Sequence, residues 1–245
     1  GYTFSICLIG AIRELLGNGT LTLVNNTPAG ISALAATGNG VTATATANVY
    51  NVVYGSSVTL TATAKTGYTF KLWIITEPKV EHLDGNPCEY TMGAHNVTAT
   101  ATATENWYTI KFDGNGQSIG VAVDGSMTDL AMTYDQSKNL TANAYSAAGF
   151  TFVGWNTNKN ATTALYADKA SVINLSAENG GVVTLYAIWK ANGIDVTADA
   201  NGGTISAATG WAIASGNKTA TKTIPFNTAY GTLPTVTRTG YTFTQ

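Results

Sequence analysis

The chain has 245 residues, of which 44% are apolar and only 11% are charged, and its formal net charge is -2. The apolar share is large enough for hydrophobic cores, whereas the lack of basic runs argues against a nucleic-acid-binding protein. No apolar stretch of about 18 residues is present, so we expect no insertion into a membrane either.

The first residues and the cysteines give two further expectations. The sequence opens on Gly1 without an initiator Met and stops within a recurring motif, so we expect a processed chain or a fragment of a longer one. Cys7 and Cys88 are far apart and form no CxxC pattern. Two partly buried thiols and one disulfide closing a long loop both remain open.

A four-residue motif recurs along the chain. It reads GYTF at 1–4, 67–70 and 240–243, and GFTF at 149–152. A Thr-rich segment that favours a strand precedes each of the last three copies, at 56–66, 138–148 and 231–239. The spacing between copies is too long for a solenoid and fits small tandem domains.

Each motif is predicted to be a turn followed by a strand. Glycine reaches a positive φ at little cost, and the alternation that follows places Tyr68 and Phe70 on one face of the strand. Trp155 comes three positions after Phe152, so the two share a face only if a bulge intervenes, and Gly154 suits a bulge. We therefore predict Phe152 and Trp155 in one core. The predicted core anchors are Tyr68, Phe70, Trp73, Phe150, Phe152, Trp155, Tyr186, Trp189, Tyr241 and Phe243.

Further strands follow from alternation and from turn signals. Residues 41–47 and 97–104 alternate Thr with Val or Ala, which is typical of half-buried strands. Residues 107–116 and 193–203 are predicted strands that run into Asn-Gly turns. Residues 182–190 are apolar on both faces, which favours a central strand.

Only two short segments favour helix. Residues 11–18 suit about two turns closed by Gly17, and residues 174–181 suit one turn with capping residues at its start and a Gly-Gly stop. We therefore expect very little helix in the chain.

Residues 108–190 resemble the Listeria-Bacteroides repeat, also called the internalin B-repeat. The resemblance rests on motifs that appear in the family's order: a DGNG turn, Tyr134, a Leu-Thr-Ala-Asn strand, GFTFVGW, a YAD segment and a closing GGVVTLYAIW. It implies a compact β-rich fold similar to a β-grasp, repeated in tandem on bacterial surface and secreted proteins. It implies no enzyme chemistry.

The resemblance also divides the chain. We predict the C-terminal half of a divergent repeat at 1–48, a divergent B-repeat at 49–106, a complete B-repeat at 107–191, and the truncated N-terminal part of a further B-repeat at 192–245. The predicted fold class is mainly β with one or two short helical turns, in tandem small β-grasp-like domains arranged as an elongated string.

Candidate chemistry is sparse. His82 and His95 are the only histidines, neither lies near a Ser/Asp constellation, and no G-x-S-x-G elbow exists, so we predict no enzyme and no cofactor. The insert 77–90 gathers oxygen, nitrogen and sulfur ligands, yet its spacing fits no standard metal loop and favours a solvated loop. Residues 113–116 resemble part of a calcium loop but equally spell the family's turn, so we predict no metal.

The sequence therefore favours an extracellular or cell-surface structural protein of bacteria, serving as stalk, spacer or filament segment. Its predicted partners are neighbouring repeats or other copies of itself, which join head to tail through incomplete terminal repeats. The alternative is an adhesin-type module that recognises glycan or a protein. The candidate binding surface of that alternative consists of Glu81, His82, Asp84, Tyr90, Trp107 and Trp211.

Overall fold

The computed structural model describes residues 17–77 and 79–244. Their regular structure is β-strand apart from one 3-10 turn at Gly116–Ser118, which confirms the predicted mainly β fold class. Residues 11–16 of the predicted helix 11–18 lie outside the described residues, and Asn18 begins a strand. Among the described residues, no helix has the length and apolar character to cross a membrane.

The described residues contain 22 strands. The first ten are β1 (Asn18–Asn25), β2 (Ile31–Thr37), β3 (Val41–Ala43), β4 (Val49–Val53), β5 (Ser57–Ala64), β6 (Tyr68–Thr76), β7 (Val80–Leu83), β8 (Cys88–Thr91), β9 (Val97–Glu105) and β10 (Trp107–Asp113). The others are β11 (Val123–Asp124), β12 (Leu130–Thr133), β13 (Lys138–Asn139), β14 (Ser146–Ala147), β15 (Phe150–Asn156), β16 (Ser171–Val172), β17 (Gly181–Ala191), β18 (Gly193–Asp199), β19 (Thr204–Ala207), β20 (Ala212–Ile213), β21 (Thr219–Pro225) and β22 (Thr235–Thr237).

The chain forms two compact units, each made of several segments. Among the described residues, the first unit consists of residues 17–110, 130–139 and 171–183, and the second of residues 111–129, 140–170 and 184–244. The division passes through β10 and β17, so it does not follow the repeats of the sequence. The domain boundaries and the elongated string stay predictions.

The first unit holds a six-stranded sheet of order β3-β4-β1-β9-β6-β7 and a three-stranded sheet of order β2-β5-β8. Strand β1 pairs antiparallel with β4 and parallel with β9. Val97, Ala99 and Ala101 of β9 are buried while the intervening Thr residues face outward, as the alternation predicts. Leu21 and Trp73 lie in one core, so the predicted break after residue 48 does not separate two cores among the described residues.

The predicted strand 41–47 ends early, at Ala43. The Thr44 hydroxyl donates to Val49 O (2.9 Å) and accepts the Thr46 N–H (3.1 Å), which bends the backbone. Asn48 then takes a left-handed conformation (φ 61°). A hydroxyl that satisfies local backbone groups competes with the sheet, and the alternation pattern does not register this competition.

Both motif strands are bulged, and the bulge was predicted for the segment 152–155. The register of β6 shifts between Phe70 and Leu72, and that of β15 shifts between Phe152 and Gly154. The rings of Phe152 and Trp155 are therefore on the same side, 4.9 Å apart, and Trp155 is fully buried. The prediction that these two rings share a core is confirmed.

Two further predictions need correction. The segment 138–148 forms only the two-residue strands β13 and β14, because the Asn143 side chain bonds the N–H and C=O of Tyr145 and turns the chain between them. No helical turn forms at 174–181, since Asn174 has a left-handed φ of 54° and its amide is bonded to Asp135 rather than capping a helix.

In the second unit β15 pairs with β17, β21 lies between β18 and β20, and β19 pairs with β22. Leu185, Ala187 and Ile188 of β17 are buried, whereas Val182 is exposed, so the segment 182–190 is apolar on both faces but not covered along its whole length. A separate small core contains Ala200, Ile205, Trp211 and Ala220.

Most predicted core anchors are where the sequence places them. Trp73 and Trp155 are fully buried, Tyr68 is buried, and five others are half-buried: Phe70, Phe150, Phe152, Tyr186 and Trp189. Tyr241 and Phe243 are wrong as core anchors, since both are more than two-thirds exposed. Residues 241–244 form no strand, so these rings have no sheet to pack on.

Candidate functional site at the repeat junctions

A single residue, Asn106, links β9 to β10, and its backbone is bonded on both sides. Its N–H donates to Gly67 O in the motif at 67–70 (2.8 Å), and its carbonyl accepts the Tyr134 N–H at the end of β12 (2.8 Å). The linker is therefore tied to the repeat that precedes it and to the repeat that follows it. All these residues belong to the first compact unit.

The side chain of Asn106 doubles these ties. Its Oδ1 accepts the Thr69 hydroxyl (2.6 Å), and its Nδ2 donates to Ala177 O (2.7 Å). Asn106 is only 6% exposed. Loss of the amide would remove two part-buried hydrogen bonds, which costs more than the loss of a bond fully exposed to water.

Aromatic packing covers the same junction. The ring of Tyr134 lies directly on Gly67, where an added Cβ would come within 2.2 Å of it. Tyr68 meets Tyr134 edge to face, with ring centroids 6.0 Å apart, and the Tyr68 hydroxyl donates to Asp135 Oδ2 (2.9 Å). This hydrogen bond to a carboxylate, together with burial, raises the pKa of Tyr68 to about 12.

The second junction, inside the second unit, repeats this construction around Asn192. Asn192 N–H donates to Gly149 O (2.9 Å), its Oδ1 accepts the Thr151 hydroxyl (2.6 Å), and its carbonyl accepts the Phe226 N–H (2.8 Å). An added Cβ on Gly149 would lie 2.3 Å from the Phe226 ring, which meets Phe150 edge to face at 5.7 Å. Glycine, Thr, Asn and a following aromatic thus recur with the same contacts.

One element of the junction is also present at the start of β1. The Tyr54 N–H donates to Gly17 O (3.2 Å), as Tyr134 and Phe226 donate to the two linker asparagines. Gly17 therefore occupies the linker position ahead of β1, although it has no side-chain amide.

The motif at 240–243 has no such partner in the described residues. Gly240 has the positive φ of its counterparts (78°), yet nothing lies within 4 Å of an added Cβ. Tyr241 and Phe243 are 68% and 69% exposed. The guanidinium of Arg238 lies 4.1 Å from the centroid of the Tyr241 ring.

The insert 77–90 is not the predicted loop but contributes two edge strands. Strand β7 pairs with β6, and β8 pairs with β5. Glu81, His82 and Asp84 are exposed. Within the described residues, no three His, Cys, Asp or Glu side chains are grouped closely enough to hold a metal ion.

Burial and polar neighbours tune two side chains of β8. Burial, followed by the neighbouring Glu89 charge, raises the pKa of the half-buried Cys88 thiol. Hydrogen bonds from the Ser57 and Thr59 hydroxyls lower the pKa of the Glu89 carboxyl. Cys7, which would be the partner of Cys88 in a disulfide, lies outside the described residues.

Of the three remaining candidate binding residues, one is exposed and two are buried. Trp107 is 55% exposed and remains available at the surface. Tyr90 and Trp211 are wrong as surface residues, because they are 8% and 7% exposed. Tyr90 belongs to the core of the first unit. Trp211 belongs to the small core of the second unit, and its indole N–H donates to Thr232 O (3.0 Å).

The sequence prediction missed Asn106 and Asn192. Both stand alone between the last strand of one repeat and the first strand of the next, at a similar distance after a motif glycine. That recurrence was the available signal. It was hidden because Asn is abundant in this chain and linkers ordinarily vary.

The comparisons with known proteins agree with this repeat structure. Residues 32–106 match the divergent InlB B-repeat domain, and residues 108–188 match the Listeria-Bacteroides repeat domain. The predicted family, including its divergent form, is confirmed. The first match begins at residue 32, within the segment 1–48 that the sequence prediction gave to a preceding copy.

One curated relative extends beyond a single repeat. A protein of Evansella cellulosilytica, named as a Gly-rich membrane protein, is 30% identical over 151 residues, which cover 57% of this chain and 16% of that protein. The chain thus spans a small part of the length of this relative. The chain therefore carries a divergent InlB B-repeat domain at 32–106, followed by a Listeria-Bacteroides repeat domain at 108–188, which are repeat domains of bacterial surface proteins.

Proposed function

We propose that this chain is a non-enzymatic structural segment of a bacterial surface protein, in which tandem B-repeats serve as a stalk or spacer outside the cell. The observation that carries the proposal is the recurrence of one junction, with the same bonds at Asn106 and at Asn192. The proposed repeats begin at residues 18, 107 and 193, directly after the three linker positions.

A spacer works only if its repeats do not fold back on one another. Bending at Asn192 would break three hydrogen bonds and separate Phe150 from Phe226. At about 0.5–1.5 kcal/mol for each bond and a similar amount for the ring pair, bending would cost about 2–6 kcal/mol. Such a linker resists bending, whereas a flexible linker would have no such ties.

Small-angle X-ray scattering tests the spacer. A compact chain of this length would have a radius of gyration of about 18 Å. We expect a clearly larger value, and we expect the variant with Asn106→Ala and Asn192→Ala to sample more bent forms than the wild type. A radius near 18 Å for the wild type would contradict the proposal.

We further propose that the exposed motif at 240–243 is an acceptor for another copy of the chain. In the two closed junctions the same motif is covered by an aromatic residue of the following repeat, Tyr134 or Phe226, which suggests what would cover Tyr241 and Phe243. Head-to-tail addition of copies is the form of assembly that this arrangement favours.

Sedimentation velocity over a range of concentrations tests the assembly. We expect Tyr241→Ala with Phe243→Ala to weaken self-association and Val182→Ala, at an exposed apolar site outside the motif, to leave it unchanged. Equal association of both variants and wild type would count against the acceptor.

The adhesin-type alternative rests on fewer residues than the sequence indicated. Glu81, His82, Asp84 and Trp107 are its exposed members. Trp107 is the residue to test first, because exposed aromatic rings are common anchors in binding surfaces. A glycan array on which wild type and Trp107→Ala give the same pattern would remove this alternative.

A further inference from the structure

The first and last strands of the proposed repeat 18–105 lie side by side and run in the same direction. Strand β1 pairs in parallel with β9 from Leu21 opposite Val97 to Asn25 opposite Ala101. The chain enters this repeat through β1 and leaves it through β9. The two strands through which any pull would reach the repeat are therefore bonded directly to each other.

Side chains extend this ladder beyond the paired residues at both ends. At the beginning, Thr20 N–H donates to Asn96 Oδ1 (2.9 Å). At the end, Asn26 N–H donates to Ala101 O (3.1 Å), and the Thr27 hydroxyl accepts the Ala103 N–H (3.1 Å) and donates to Ala103 O (3.4 Å). The contact is thus continuous from Thr20 to Ala103.

One face of this pair is sealed from water. Leu21, Val97, Ala99 and Ala101 are at most 2% exposed, and Leu23 is 4% exposed. Water therefore cannot readily replace the ladder bonds from that side, and sliding of one strand along the other would expose this core as well.

The direction of pairing decides how tension acts on these bonds. A pull away from the start of β1 and away from the end of β9 slides two parallel strands past each other, so all bonds between them carry the force together. In an antiparallel hairpin the same pull would open one bond at a time. The force passes directly from β1 to β9, so edge strands such as β3 and β7 do not carry it.

From this geometry we propose that the β1–β9 pair is a mechanical clamp that keeps the repeat folded under tension. The inference rests on the proposed function and goes beyond it, because a spacer need only separate two objects, whereas a clamp resists a pulling force. Under tension the β1–β9 ladder begins to separate at its two ends, where the side chains of Asn96 and Thr27 form their hydrogen bonds.

Single-molecule force spectroscopy on the whole chain, held at its two termini, tests the clamp. Unfolding of the repeat 18–105 releases about 300 Å of extended chain, which identifies its event. Thr27→Val removes both bonds to Ala103 and keeps the shape of the side chain. We expect its unfolding rate at a fixed force to rise about tenfold, since two ladder bonds are lost.

Thr44→Val is the matched control. It is the same substitution in the same repeat and removes the hydroxyl bonds to Thr46 and Val49 in the turn between β3 and β4. We expect its unfolding rate under force to stay within about twofold of wild type. Asn96→Ala, at an exposed position, is a second clamp variant for which we expect a faster rate, as for Thr27→Val.

Equal unfolding rates under force for Thr27→Val, Asn96→Ala and Thr44→Val would overturn the clamp. Such a result would leave the spacer intact, because the spacer is tested by scattering in the absence of force. Conversely, a compact wild-type particle would overturn the spacer whatever the pulling result.

Discussion

The junctions at Asn106 and Asn192 are built alike, yet one is buried and the other is open to solvent. Both join a motif glycine, a Thr hydroxyl and a following aromatic through one asparagine. Asn106 is buried and also bonds Ala177, whereas Asn192 is exposed. The shared contacts define the minimum that a junction needs, and the others strengthen one particular copy.

The residue after the covering aromatic shows the same division into shared and particular features. Asp135 and Asn227 both have a left-handed backbone, with φ of 58° and 60°. Asp135 additionally accepts the Tyr68 hydroxyl, whereas the second junction has Phe150 in place of Tyr68 and no hydroxyl to bond. The backbone shape is common to both junctions, and the charge belongs only to the first.

The largest effect is expected from closing the space above a motif glycine. Gly67→Ala places a methyl group into the Tyr134 ring at a positive φ, which we expect to cost about 2–5 kcal/mol of unfolding free energy. Gly149→Ala should behave similarly against Phe226. Urea unfolding of each variant measures the loss.

Gly240→Ala is the control for this prediction. It has the same backbone conformation but nothing within 4 Å of the added methyl. We expect only the backbone strain, about 1–2 kcal/mol at most. If Gly67→Ala were no more harmful than Gly240→Ala, the close packing at the junction would be refuted.

A smaller effect separates the two linkers. Asn106→Ala leaves the Thr69 hydroxyl and the Ala177 carbonyl without their partner, so we expect a loss of about 2–3 kcal/mol, against about 1 kcal/mol for the exposed Asn192→Ala. Hydrogen exchange of the linker amides, each protected by its bond to a motif glycine, measures both. Equal losses would show that burial does not distinguish the junctions.

The smallest effect concerns Tyr68 and depends on pH. Its pKa is raised to about 12 in the folded protein, whereas a tyrosine in an unfolded chain ionises near 10. Its stabilising contribution is therefore complete below pH 10 and is lost as the pH rises from about 10 to about 12. We expect Tyr68→Phe to cost about 1 kcal/mol at pH 8 and less at pH 11.

Urea unfolding of wild type and Tyr68→Phe at the two pH values measures this difference. Phe150 occupies the corresponding place in the second junction and has no ionisable group, so the second junction should show no such change between the two pH values. A gap between the two proteins that stays constant from pH 8 to pH 11 would contradict the assigned hydrogen bond.

Much of the fold was predictable because it depends on local patterns. The alternation of Thr with Val or Ala fixes the inward face of β9, and Gly154 marks the bulge that brings Phe152 and Trp155 together. The ends of other strands were not predictable. Thr44 and Asn143 bend the chain through bonds to nearby backbone, which competes with a sheet that the pattern alone favours.

The candidate site was only half predictable for a related reason. The motif was evident from its recurrence, and Phe70, Trp73, Phe152 and Trp155 pack in cores as predicted. Its Gly and first aromatic have a second role that depends on residues much further along the chain, Asn106 and Tyr134. A single sequence does not reveal which distant residues will meet, so Tyr241 and Phe243 were placed in a core that they do not reach.

The matching halves of each junction also bear on how such proteins change over generations. A module that begins after the asparagine carries the covering aromatic and then the glycine motif further along its length. It therefore contributes one half of a junction to the preceding module and the other half to the following module. Duplication or deletion of one entire module by recombination would then leave every remaining boundary matched. Variation in the number of modules among related genes is the expected outcome, without any need for compensating substitutions.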